Sequence, residues 1–115
     1  MQVHPIDASS PVPPFEQLRA QVAGRAASGD LAAGTRLPTV RALAAELGLA
    51  ANTVAKAYRA LETDGVIATE GRRGTFVAPQ QDSVDARDAA TSYAASARRA
   101  GLTLPEALRL VERSW

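Results

Sequence analysis

The chain has 115 residues, of which 46% are hydrophobic, 22% charged and only 4% aromatic, with a net charge of +1. Those proportions fit one globular domain, or a small domain with an appendage, whose core is built from Leu, Val and Ala. Cysteine is absent and the one histidine, His4, stands in a proline-flanked stretch, which excludes disulfides, thiolate chemistry and cysteine-based zinc sites. No apolar run is long enough to span a membrane, and no charged n-region leads into an apolar h-region. The cytoplasm is therefore the expected location. A chain this short buries a modest core, so oligomerisation is an expected source of stability. The net charge does not by itself indicate nucleic acid, and the placement of the charges has to decide.

In chain order, residues 1–13 hold Pro5, Pro11 and Pro13 and read as an extended, flexible arm. A first helix begins at Pro14, a residue suited to the first turn, and carries Phe15, Leu18, Val22 and Ala26 on one face up to Gly29. A second helix starts at Pro38-Thr39 with Thr39 as N-cap, buries Val40, Leu43, Ala44 and Leu47, and stops at Gly48. A third carries Val54, Ala57, Tyr58 and Leu61 at helical spacing and ends at Asp64-Gly65. Val66 to Thr69, the turn Gly71-Arg72-Arg73-Gly74 and Thr75 to Val77 make a β-hairpin. Residues 79–84 form a linker. The tail, 85–115, is two helices, the second opened by the capping box Thr103-Leu104-Pro105-Glu106. There is no internal repeat. The expected fold is mostly α with a small β-hairpin wing: a winged helix-turn-helix domain over 14–78 followed by a two-helix dimerisation tail.

That order of elements places the third helix in the DNA major groove, its N-terminal residues at the base edges and the preceding helix across the backbone. Asn52 offers a donor and an acceptor together, as adenine requires. Thr53 suits a phosphate or a thymine methyl, and Lys56, one turn after Asn52, suits a phosphate or guanine. The opposing interpretation is that Asn52 or Thr53 caps the helix, since Ala50 and Ala51 are poor caps, and that Lys56 is a solvated charge. Arg72 and Arg73 at the hairpin tip can reach the minor groove or the nearby backbone, or serve only as a solubilising turn. Arg41, in the first turn of the second helix, and Arg36, in the loop before it, are candidate phosphate clamps, or pair with Glu46 or Glu62.

The run Ser28-Gly29-Asp30-Leu31 with Gly34-Thr35-Arg36-Leu37-Pro38-Thr39-Val40-Arg41 resembles the signature of the GntR family of bacterial transcription regulators. Asn52-Thr53-Val54 with Ala57-Tyr58-Arg59-Ala60-Leu61 resembles the family's recognition helix, and Asp64-Gly65 with Gly71 to Val77 its wing. The resemblance covers residues 14–78. It implies that Arg36, Thr39, Arg41, Asn52, Thr53, Lys56 and the wing at Gly71, Arg72 and Arg73 fall at DNA-contact positions. Three positions depart from the pattern: Ala50 stands where Ser or Thr is usual, Ala51 where Arg or Pro is frequent, and Ala33 where Pro is common. The alanine at position 50 removes a hydroxyl contact and implies a different operator preference or a lower affinity. The short tail is similar to that of the YtrA subfamily, in which it serves dimerisation and whose members are typically repressors.

These readings imply a regulator that binds a double-stranded, palindromic DNA operator as a homodimer, with an unidentified small-molecule effector as a further possible partner and no membrane association. Ala86, Ala90, Tyr93, Ala97, Leu104, Leu108 and Val111 are the candidate dimerisation residues; the alternative for this small-residue stripe is packing on the chain's own winged helix. Catalysis is not expected: there is no Cys, no paired acidic motif and no base near Ser9 or Ser10. No cofactor is implied. The rival functions are a winged-helix protein-interaction module and the DNA-binding part of a larger effector-responsive regulator, the latter raised by Trp115 ending a helix without an obvious cap.

Overall fold

The computed structural model describes residues 1–79 and 85–115. The chain divides into two compact units, Met1–Gln81 and Asp82–Trp115. Of the expected linker, 79–84, residues 80–84 lie outside the described residues.

In the first unit, α1 (Pro14–Ser28) has proline in its opening turn and buries Leu18, Val22 and Ala26, spaced by four so that they share one stripe. Helix α2 (Val40–Leu47) opens on Thr39, whose hydroxyl oxygen accepts from the Ala42 N–H at 3.1 Å. It closes at Gly48, whose φ of +66° is the left-handed conformation that glycine adopts without Cβ strain. That residue turns the chain into α3 (Ala51–Thr63), which buries Val54, Ala57, Tyr58 and Leu61. Strands β1 (Ile67–Thr69) and β2 (Thr75–Val77) pair antiparallel, Ile67 opposite Val77, across a single 3-10 turn at Gly71–Arg73. The three helices and the hairpin meet in one core, with Leu18, Leu43 and Leu61 fully buried. Full burial of each such side chain contributes about 1.5–3 kcal/mol relative to leaving it exposed.

Two features differ from the sequence reading. The stretch before α2, read as a loop, adds a short rung to the sheet: Leu37 N–H donates to Thr75 O, Val77 N–H to Thr35 O and Gly34 N–H to Val77 O, with Arg36 opposite Phe76. A pairing this short, in a Gly- and Pro-bounded segment, carries no alternating pattern that marks a strand. Residues 1–13 have no helix or strand, yet they are docked and not free. Met1, Val3 and Ile6 pack against the core. Gln17 and Gln21 of α1 each bind both backbone groups of one residue, Asp7 and His4 respectively.

In the second unit, α4 (Ala86–Arg99) is capped by the Asp85 carboxylate on the Arg87 N–H. Helix α5 (Leu104–Ser114) carries the expected capping box: Thr103 and Glu106 bond each other's backbone N–H. That exchange holds the Glu106 carboxyl below its usual pKa, because the Thr103 N–H and hydroxyl favour the charged form. Tyr93 ties the two helices, its hydroxyl donating to Ala107 O at 2.7 Å. Ala97 and Ala107 are buried, whereas Leu104, Leu108, Val111 and Trp115 are exposed.

Candidate nucleic-acid interface

The sequence-selected arginines lie on three elements of the first unit. Arg41 is exposed in the first turn of α2, Arg36 on the rung beside β2, and Arg72 and Arg73 on the hairpin tip. None of them forms an ion pair among the described residues, so pairing of Arg36 or Arg41 with Glu46 or Glu62 is not observed; the two salt bridges present, Arg19–Glu16 and Arg25–Asp30, lie elsewhere. Arg36 is drawn to the wing rather than left in a loop. A Cβ on Gly74 would stand 2.9 Å from Arg36 Nε, and Gly74 has φ +110°, so glycine is what allows the guanidinium to lie against the hairpin backbone.

At the start of α3 the capping interpretation of Asn52 and Thr53 does not hold. The N-cap is Ala50 and no side chain caps the helix, because the cap falls two residues before Asn52 and three before Thr53. Asn52 is exposed and Thr53 half-buried, so the amide of Asn52 is left to face solvent at an uncapped helix N-terminus. Thr39 is committed on one side: its oxygen serves as the N-cap of α2, and its O–H remains available as a donor. Lys56 is exposed on α3 with its ammonium 4.0 Å from the ring centroid of Phe15, a residue of α1. Gly71 is exposed and opens the hairpin turn.

Tyr58 holds α3 against the start of α2. It is buried, and its hydroxyl donates to Pro38 O at 2.7 Å. Burial pushes its phenol up to about 12. The sequence reading had Tyr58 only as a core residue and Phe15 only as part of the apolar face of α1. The Tyr58–Pro38 and Phe15–Lys56 contacts join residues far apart in the chain, and no local spacing signals them.

In the tail, all seven candidate dimerisation residues line one apolar groove of about 710 Å³ between α4 and α5. Tyr93 and Ala97 are in part used within the unit, through the bond to Ala107 O and by burial. Ala86, Ala90, Leu104, Leu108 and Val111 remain exposed. Among the described residues no group of three or more His, Asp or Glu side chains could hold a metal, and no helix is long and apolar enough to cross a membrane.

A helix-turn-helix of α2 and α3 packed on α1 and followed by a two-stranded hairpin defines a winged helix-turn-helix DNA-binding domain. Residues 14–77 match the family model described as bacterial regulatory proteins, gntR family. The HTH-type transcriptional regulator Rv1152 of Mycobacterium tuberculosis is 49% identical over 106 residues, covering 90% of this chain and 87% of that protein. The HTH-type transcriptional repressor YtrA of Bacillus subtilis is 40% identical over 72 residues, 63% of this chain and 55% of the repressor. Among solved structures, YtrA from Sulfolobus acidocaldarius, a GntR-family transcription factor, superimposes with a TM-score of 0.60 at 29% identity, covering 95% of this chain and 93% of that one. The chain belongs to the GntR family of bacterial regulatory proteins, and is a transcription regulator with a DNA-binding domain rather than an enzyme.

Proposed function

We propose that this regulator reads a palindromic operator as a homodimer in the cytoplasm and represses transcription by blocking polymerase. Residues 14–78 serve as the DNA-binding domain, 79–84 as a linker and 85–115 as the dimerisation region. The observation that carries the reading is a set of exposed arginines that form no salt bridge among the described residues, Arg36, Arg41, Arg72 and Arg73, together with an uncapped α3 N-terminus that exposes Asn52. Cations held without carboxylate partners are suited to phosphates, and Asn52 to an adenine edge. For the dimer, the support is the apolar groove of the tail and the exposed Leu104, Leu108 and Val111 beside it, a surface that a second copy covers by symmetry. The name of the Bacillus relative, a repressor, favours repression over activation. An effector, if the regulator has one, acts on the spacing of the two DNA-binding domains through the linker.

The test is a fluorescence-anisotropy titration of the full chain against the duplex immediately upstream of its own gene, at two salt concentrations, with an unrelated duplex as control. Tight, salt-sensitive binding that prefers the promoter and saturates at two chains per site is the expected result. Equal binding to both duplexes defeats sequence-specific reading. Absence of binding at either salt returns the protein-interaction module to the front.

A further inference from the structure

The ammonium of Lys56 lies over the Phe15 ring, and this contact carries more than packing. Lys56 is exposed, forms no salt bridge among the described residues and stands on α3 one turn beyond Asn52. A free lysine must surrender the rotamer freedom of its four-carbon stem when it grips an anion. A lysine held over an aromatic face has already surrendered part of it. The ring takes one side of the ammonium and leaves N–H donors for a second partner, since the group has three.

Phe15 is itself held. It is half-buried in the first turn of α1, and that turn is tied down by Gln17 two residues later. The Gln17 amide donates to Val12 O at 2.7 Å and to Asp7 O at 2.8 Å, and accepts from Asp7 N–H at 2.9 Å. The ring itself packs against the core of the first unit, which limits its movement. A Leu at position 15 would fill similar space but lacks the negative π-face.

We infer that Phe15 is a positioning residue for DNA binding: it presets the Lys56 ammonium so that the recognition helix meets a backbone phosphate with that cation already in place. The inference rests on the DNA-reading function proposed above.

A double-mutant cycle on the full chain tests it, with promoter-duplex affinity measured across a salt series and the folded fraction checked by circular dichroism. Lys56→Gln lowers the slope of log affinity against log salt by about 1.8, the signature of one lost phosphate contact in each of the two half-sites. Phe15→Leu weakens binding about two- to fivefold per half-site, the size of an exposed cation–π contact. Phe15→Tyr, which keeps the π-face, binds like the unaltered chain. In the Lys56→Gln background, Phe15→Leu costs nothing further. Equal weakening by Phe15→Leu in both backgrounds overturns the inference, because the ring then acts only through packing. No weakening in the Lys56 background overturns it as well. If the unaltered chain binds no promoter duplex, the DNA-reading function falls first and takes this role with it, a result distinct from additive substitutions on a chain that binds.

Discussion

Tyr58 shows how much a single hydroxyl decides in this fold. Its ring belongs to the core, but its O–H bond to Pro38 O ties the recognition helix to the residue before the cap of α2. Tyr58→Phe keeps the ring and leaves that carbonyl without its donor, at an expected cost of about 1 kcal/mol in chemical denaturation. The phenol also predicts a pH signature. Its folded pKa of about 12 lies above the ordinary value of 10.0, so the folded state holds the proton more tightly than the unfolded chain. The contribution is complete below pH 10 and is lost as the pH rises toward 12. Denaturation midpoints of the unaltered chain fall across that window, and a Tyr58→Phe variant lacks this component of the fall. At this scale the sequence was legible for the cap at Thr39 and the capping box at Thr103, because both are local exchanges over three residues. It was not legible for Asn52 and Thr53, where a good capping residue stands inside the helix and an alanine occupies the cap.

Among the elements, the N-terminal segment departs furthest from its composition. Prolines and a terminal position argue for a free arm, yet Gln17, Gln21 and Arg25, one turn apart on α1, bind its backbone at Asp7, His4 and Gln2 in turn. Each glutamine supplies a donor and an acceptor to the same residue, which makes the docking independent of that residue's side chain. Gln17→Ala removes three such bonds. The expected loss is about 1 kcal/mol, because bonds at an exposed site exchange with water. For a domain of this size that corresponds to a thermal midpoint lower by about 4–8 °C, read by scanning calorimetry. An unchanged midpoint would show that the docked segment contributes nothing to stability. The rung at Thr35–Leu37 belongs here too. It joins the loop before α2 to the wing, and so brings Arg36 to Gly74.

For the molecule as a whole, the tail is the element whose chemistry is least complete within one chain. A unit of two short helices with only Ala97 and Ala107 buried among its described residues has little core of its own, and Leu104 is 72% and Leu108 53% exposed. A dimer seated on this face predicts that Leu108→Glu yields monomers in light-scattering chromatography at micromolar concentration. It also predicts that the operator is then bound about tenfold or more weakly, since the two half-sites no longer share one binding event. A Leu108→Glu chain that remains dimeric places the interface elsewhere.

Periodicity and local turn chemistry were enough to determine five helices, a hairpin and their order, and the motif resemblance pointed to the family that the comparisons establish. Those signals are local: a helix declares itself every three or four residues, and a cap within three. Which cations stand outside any salt bridge among the described residues, that Arg36 lies on the wing, that Lys56 rests on Phe15 and that the first thirteen residues are docked were decided only by the tertiary structure. Each joins residues tens of positions apart or turns on which neighbours fail to meet, and such outcomes depend on packing that no local pattern encodes.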